Sequence, residues 1–379
     1  MLQSFDIEGF RTFKHLRIDR LARVNLVVGR NNVGKTMLLE ALRLYVDGAH
    51  FASIARLLLT RNEVAALAAP GRRGSEAEIR LEALFHGRPT QLRTDDTICL
   101  SDPTTPSSAL NIRVAIEHKG KKPRQAQGRT LRVRRGKQAG VLDVSEFSEW
   151  RMNPRHPGWP LEAPAFVHAG RLAASHIGWL WDRVALTERA ANVVTALSII
   201  APVEGIALVA DPSSYREGER MAMARLGNET EPVPLASLGD GMLRVFELAL
   251  ATEFAASRAT PSSTMLTKDA KEEEEEDGDV FLALDEPMLL IDEVEIGVHY
   301  SALPDVWRYL FRAARERGIQ VFATTHSWDC IEAFQQAAAE EPEGSALLMR
   351  LEQKDQEHRA VLFDQDELPT VTKHHIEVR

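Results

Sequence analysis

The chain has 379 residues, 44% of them hydrophobic, and a formal net charge of −9. That is apolar material for one large elaborated domain or for two, which excludes global disorder, and the acidic balance excludes a generic attraction to nucleic acid. No apolar run is long enough to span a bilayer and no secretory signal opens the sequence. Cys99 and Cys330 are too few for a disulfide framework or a cysteine-rich metal site. A cytoplasmic protein without membrane contact is therefore expected.

Leu2 to Ile18 reads as two short strands, with Phe5, Ile7, Phe10 and Phe13 interleaved with polar residues and Gly9 at the bend. The apolar run Val24–Val28 then leads into Gly29-Arg30-Asn31-Asn32-Val33-Gly34-Lys35-Thr36, which has the form G-x-x-x-x-G-K-[ST]. A helical pattern follows through Met37, Leu38, Leu39, Ala41, Leu42 and Tyr45. Strand, loop and helix form the setting in which such a loop cradles phosphate. Gly29 and Gly34 let the backbone N–H groups turn inward, as the backbone N–H groups of Asn31 and Asn32 do. Lys35 reaches the β/γ-phosphates, and the Thr36 hydroxyl ligates Mg²⁺.

The opening Phe10-Arg11-Thr12-Phe13, placed before this loop, resembles the hairpin of the RecF/OLD/SMC-like branch of ABC-type ATPases. The resemblance implies that Arg11 lies near the nucleotide phosphates; an exposed strand arginine is the other reading. It also implies an α/β fold of the ABC-ATPase-head type, with a P-loop NTPase core, a mixed sheet, a β-subdomain and a helical signature lobe.

Tyr45 to Glu63 reads as continuing helix, Pro70–Ser75 as a loop, Glu78 to Phe85 as a strand and His86–Pro89 as a turn. Strands near Ile98–Leu100, Ile112–Ile116 and Leu131–Val133 predict an antiparallel β-subdomain between about residues 78 and 145. Within it Lys119, Lys121, Lys122, Arg124, Arg129, Arg132, Arg134, Arg135 and Lys137 form a basic run. This is a candidate contact for DNA, RNA or an acidic partner, or simply a solvated hairpin. Asn153–Pro160 reads as a loop, Ala165–Val167 as a strand, Leu172–Ile200 as helical and Gly205–Val209 as a strand. Thr260–Asp279, with its run of glutamates, reads as a disordered surface insertion.

Ser237-Leu238-Gly239-Asp240-Gly241 precedes an apolar helix and resembles the S-x-G-x-G signature motif of the same branch. There Ser237, Gly239 and Gly241 would meet the γ-phosphate bound to a second subunit. Met288–Ile291 followed by Asp292 and Glu293 reads as a buried strand with an acidic end, a Walker B motif. Asp292 would hold Mg²⁺ and Glu293 would activate water. Asp285-Glu286-Pro287 after Phe281–Leu284 is a competing pair. The later one is preferred because Glu295-Ile296-Gly297-Val298-His299 resembles the continuation seen in this branch. Ile319–Thr325 is a further strand, and the resemblance makes His326 the switch histidine touching the γ-phosphate. Trp328–Ala338 reads as helix, and Ala346–Leu351 with Ala360–Phe363 as a closing hairpin.

The expected division is 1–76 and 280–379 as the ATPase core, 77–160 as the β-rich subdomain, 161–259 as the signature lobe and 260–279 as the insertion. Asp364–Glu367 and Glu204 do not make a TOPRIM nuclease site without that fold around them, so any nuclease is expected on a separate effector chain. The expected cofactors are ATP and Mg²⁺. The expected assembly is a homodimer or higher oligomer closing head to head, gating a partner in anti-phage defence or DNA maintenance. A nucleotide-switched scaffold that touches no nucleic acid is the alternative.

Overall fold

The computed structural model describes residues 1–67, 76–118, 127–143, 165–212, 219–227, 229, 231–258, 282–284, 286–355 and 357–373. The expectations for Pro70–Ser75, Lys119–Arg124, Asn153–Pro160, Thr260–Asp279 and Asp285 fall outside these residues. In chain order the elements are β1 (Phe5–Phe10), β2 (Phe13–Ile18), β3 (Val24–Val28), α1 (Lys35–Asp47), α2 (Phe51–Thr60), β4 (Val64–Leu67), β5 (Glu76–Ile79), β6 (Thr97–Ser101), β7 (Leu110–His118), β8 (Gln127–Arg135), β9 (Gln138–Asp143) and β10 (Ala165–Val167). There follow α3 (Ala174–Val184), α4 (Arg189–Leu197), β11 (Val203–Ala210), β12 (Arg220–Leu226), β13 (Val233–Pro234), α5 (Asp240–Arg258), β14 (Met288–Ile291), α6 (Leu303–Arg317), β15 (Gln320–Thr324), α7 (Trp328–Ala338), β16 (Ala346–Lys354), β17 (Glu357–Asp364) and α8 (Leu368–Lys373).

The central sheet has the order β10-β14-β15-β3-β16-β17, parallel except for the last pair. Its inner strands are apolar on both sides, as a sheet covered on both faces requires. Alternation decides which core each residue joins. Val27, Leu290, Phe322 and Leu347 face α1, α2 and the antiparallel layer. Leu26, Leu289, Val321 and Leu348 face α3 to α7. A second sheet, β2-β1-β6-β7-β8-β9, is antiparallel throughout, and β11-β12-β13 forms a third. Two buried amides finish the lower end of the central sheet. Asn25 bonds Ala22 and Val321, and Gln320 bonds Leu2 and Ala22.

Three local readings change. The helix expected through Tyr45–Glu63 is broken at Gly48, whose φ of +75° caps α1 and whose added Cβ would lie 2.3 Å from the Leu282 carbonyl carbon. Both halves are amphipathic, so the helical period carries across the break. The stretch Leu172–Ile200 likewise divides into α3 and α4, with Thr187 bonding the last turn of one and the first of the other. The strand expected over Glu78–Phe85 ends at Ile79, and a 3₁₀ turn at Leu81–Leu84 follows, burying Leu81, Ala83 and Leu84 against the first core.

α6 and α7 pack through Trp307, Phe311 and Phe334, with the Trp307 and Phe334 rings edge to face at 4.9 Å. Phe334 is wholly buried. Phe334→Ala should cost about 3–5 kcal/mol by loss of transfer energy and creation of a cavity. A urea midpoint equal to wild type would contradict this packing.

Candidate nucleotide site

The loop after β3 has the backbone its glycines permit. Gly29, Asn32 and Gly34 have φ of +140°, +62° and +106°. An added Cβ at Gly34 would lie 2.6 Å from Phe13 Cζ, and one at Gly29 would lie 2.5 Å from the Leu351 carbonyl oxygen. The two glycines therefore serve a close approach as well as a turn.

Lys35 opens α1 and is 6% exposed. Its Nζ donates to Gly29 O at 2.7 Å and Arg30 O at 3.1 Å, and lies 3.3 Å from His326 Nδ1. A lysine ammonium has only donors, so Nδ1 accepts and the ring proton of a neutral His326 sits on Nε2. That atom is 3.3 Å from Glu293 Oε1. Burial pulls the Lys35 ammonium down to about 8, against the attraction of Asp292, Glu293 and Glu295.

The Thr36 hydroxyl is 3.1 Å from both Asp292 carboxylate oxygens, and Thr324 Oγ1 donates to Asp292 Oδ1 at 2.7 Å. Thr324 in turn accepts the Glu293 N–H at 2.9 Å, and Glu295 accepts the His326 N–H at 2.9 Å. Lys35, Thr36, Asp292, Glu293 and His326 thus converge on the carboxyl ends of three neighbouring strands. A hydroxyl and a carboxylate already in contact, beside a buried lysine and a loop whose Gly29, Asn32 and Gly34 take positive φ, form a set that fits a triphosphate with Mg²⁺. Glu286, from the competing acidic pair, lies before β14 and pairs with the amino group of Met1.

Ser237 and Gly239 are exposed, and Gly239 has a φ of +93° just before α5. Gly241 packs against the loop after Glu293, where an added Cβ would be 3.0 Å from Gly297 O.

Arg11 does not lie exposed on its strand. It is 4% exposed, with Nε 2.7 Å from Glu40 Oε2 and Nη1 2.9 Å from Glu63 Oε2, so its recorded ion partners are carboxylates of α1 and of the turn after α2. Arg61 and Arg88 complete this cluster at 2.6 Å each. Glu40 and Glu63 are nearly solvent-free, and Arg11 is the buried cation that both share; without it each keeps only one arginine partner, a more exposed one.

Arg135 is corrected as well. Rather than joining a basic surface, it lies over the Tyr45 ring at 4.7 Å and donates to the Ser108 carbonyl at 2.8 Å and to the Tyr45 carbonyl. Arg132 and Arg134 remain exposed on β8, and Lys137 at the following turn.

Sequence reasoning missed Thr324, Glu295 and Arg244. Arg244, from the second turn of α5, donates through Nη1 to His168 O at 2.7 Å. Through Nη2 it donates to Asp292 O at 2.8 Å and Glu293 O at 3.0 Å. Glu247 neutralises it at 3.6 Å and accepts the Leu172 N–H. The guanidinium therefore fastens the helix that follows the signature loop to the backbone of the acidic strand end. The one signal available was an arginine and a glutamate three residues apart on a mostly apolar helix.

Residues 1–116 match the family model of an AAA ATPase domain, and residues 207–329 match that of an AAA domain described as putative AbiEii toxin, Type IV TA system. The first span holds the phosphate loop; the second holds the signature, Asp292, Glu293 and His326. Over 89 residues the chain is 32% identical to the DNA replication and repair protein RecF of Thioalkalivibrio sulfidiphilus, covering 24% of this chain and 22% of that one. Over 42 residues it is 48% identical to an ATP/GTP phosphatase of Helicobacter pylori, covering 11% of each. The chain thus spans about a tenth to a fifth of the length of these relatives.

Among solved structures, the SMC head domain from Thermotoga maritima aligns over 96% of this chain and 99% of that one, with 13% identity and a TM-score of 0.43. An SmcHead bound to the C-winged helix domain of ScpA aligns over 97% and 99%, with 11% identity and a TM-score of 0.48.

The strand order, the phosphate loop and the two family matches together define an ABC-type P-loop ATPase fold. The RecF match supports a place in the RecF/SMC-like branch of that class.

Two histidines beside the acidic strand end are held neutral. Burial, then Arg43 and Arg56, push His168 down to about 3; burial, then Arg56 and Arg43, push His176 down to about 4. Below pH 6.5 the unfolded chain binds protons that the folded chain refuses, so stability present above pH 6.5 is lost as pH falls toward 4. A His168→Gln/His176→Gln variant should lose less stability than wild type between pH 6.5 and 4. Urea midpoints that fall in parallel for both proteins would contradict this.

Proposed function

We propose that this chain binds ATP with Mg²⁺ at Gly29–Thr36, hydrolyses it, and uses the cycle to close two copies head to head. The observation that carries this reading is the contact of Thr36 with Asp292, with Lys35, His326 and Glu293 linked in series beside it. Thr36 and Asp292 would hold the metal, which supplies charge neutralisation at the bridging phosphate oxygens. Lys35 offers its ammonium to the phosphates in place of the loop carbonyls that hold it here. Glu293 accepts the proton of the attacking water, and His326 orients the Glu293 carboxylate and meets the γ-phosphate. Gly29, Asn31, Asn32 and Gly34 line the phosphates with backbone.

The exposure of Ser237 and Gly239 supports their action on a nucleotide held by the second copy, with Gly241 setting their loop. Arg244 relays that engagement to Asp292 and Glu293 through their carbonyls. On this reading Glu293→Gln lowers turnover by about 10²–10⁴-fold while leaving ATP binding intact. With ATP it accumulates a dimer by light scattering, whereas Lys35→Ala binds no ATP. A Glu293→Gln protein that turns over normally, or stays monomeric with ATP, would sink the proposal.

Closure would gate an effector on a separate chain, a nuclease being one such partner, in anti-phage defence or DNA maintenance. One observation favours a nucleic-acid link over a scaffold that touches none. Arg113 and Arg132 stand directly opposite one another on the outer face of β7 and β8, with Arg134 exposed two residues on. Two exposed arginines in register offer an anionic backbone a paired contact. The RecF relative, named for DNA replication and repair, points the same way. DNA should therefore raise hydrolysis, and Arg132→Ala/Arg134→Ala should remove that rise while keeping the basal rate. An unchanged response would favour the scaffold.

A further inference from the structure

The outer face of the antiparallel sheet carries a second group of side chains able to hold a cation, away from Asp292. Asp6 and Glu8 alternate along β1, while Phe5 and Ile7 between them are wholly buried on the other face. The ladder sets His15 of β2 directly opposite Glu8 on one side, and Cys99 of β6 opposite Glu8 on the other. Directly opposed residues share a face. An imidazole, two carboxylates and a thiol therefore meet there, and they come from three strands.

The distances suit a small ion. One ligand atom each of Asp6, Glu8 and His15 lie within 4.8 Å of one another, and His15 Nε2 is 2.8 Å from Asp6 Oδ1. Ligands about 2.0–2.2 Å from a tetrahedral Zn²⁺ stand roughly 3.3–3.6 Å apart. Shifts of about 1 Å would turn the present arrangement into that one. Cys99 is outside this set of three, but a Cβ directly across the ladder lies only about 4.5–5.5 Å from its neighbour's. The carboxylates are also short of cations. Arg17, directly opposite Asp6, bonds Asp19 at 2.7 Å instead. Among the described residues, His15 is the one side chain paired with either carboxylate. Nitrogen and sulfur beside oxygen favour Zn²⁺ over Mg²⁺ or Ca²⁺, which prefer oxygen alone.

We infer that Asp6, Glu8, His15 and Cys99 bind a transition-metal dication, Zn²⁺ above others, on the outer face of β1, β2 and β6. The ion fastens the β1–β2 hairpin to β6 through side chains as well as through the ladder. Thr12 and Phe13 at the tip of that hairpin are the groups that crowd Gly34. The metal thus stiffens the element on which the phosphate loop leans. The site does not depend on the nucleotide proposal.

The test is titration of the full chain with Zn²⁺, and with Co²⁺ as its spectroscopic stand-in, in buffer without nucleotide. Wild type is compared with His15→Ala, Cys99→Ser and Asp292→Asn, the last to separate this site from the phosphate loop. His15 is exposed, so its replacement spares the core. One Zn²⁺ should bind wild type and Asp292→Asn and raise the urea midpoint of both. His15→Ala should bind it more than about 100-fold more weakly, since losing even an outer-shell partner costs roughly 10–100-fold. Co²⁺ should give a tetrahedral spectrum with a thiolate charge-transfer band, and Cys99→Ser should lose that band. Zn²⁺ binding that survives His15→Ala or vanishes with Asp292→Asn overturns the inference. So does a wild-type urea midpoint that Zn²⁺ leaves unchanged, and a cobalt spectrum without the charge-transfer band overturns the four-ligand set.

Discussion

The contact on which the site depends is the pair of hydroxyl bonds to the Asp292 carboxylate. Thr36 belongs to the helix that the phosphate loop starts, and Thr324 ends the strand next to β14. One carboxylate therefore holds three elements that are far apart in the chain. The same Thr324 oxygen takes the N–H of Glu293. Registering the acidic strand end against the phosphate loop is thus a consequence of side-chain bonding, not only of the parallel ladder beneath it.

A second layer of restraint comes from the helix behind the signature loop. Arg244 spans the backbone carbonyls of His168, Asp292 and Glu293, so that α5, β10 and β14 share one guanidinium. Because the bonds go to carbonyls, they fix the main chain and leave the Asp292 and Glu293 carboxylates to face the loop. A planar fork with several donors suits that task, and an ammonium does not.

Much of this was legible in the sequence, and the exceptions have physical causes. The inner strands announced themselves as unbroken apolar runs because both of their faces are covered. The phosphate loop and the acidic strand end carried local patterns. The break at Gly48 was hidden because two helices of like amphipathicity abut there. β12, Arg-Met-Ala-Met-Ala-Arg-Leu, is built of helix-favouring residues and is a strand only because β11 and β13 pair with it. Arg11 was read toward phosphate because its local motif pointed there. Its partners, Glu40 and Glu63, come from later elements, and no local pattern reveals a buried ion cluster assembled by tertiary packing. Arg244 failed to stand out for the same reason, since its acceptors are backbone carbonyls with no side-chain signature.

Glu293 sits in the left-handed region, with φ of +51°, where a residue other than glycine gives up roughly 1–2 kcal/mol. The bonds to its N–H and carbonyl offset this locally. Glycine would rest there more comfortably, so thermal robustness and chemical competence pull in opposite directions at this one position. A library selected only for heat resistance should drift toward glycine at 293 and, if Glu293 has its proposed role, produce well-folded proteins that no longer turn over.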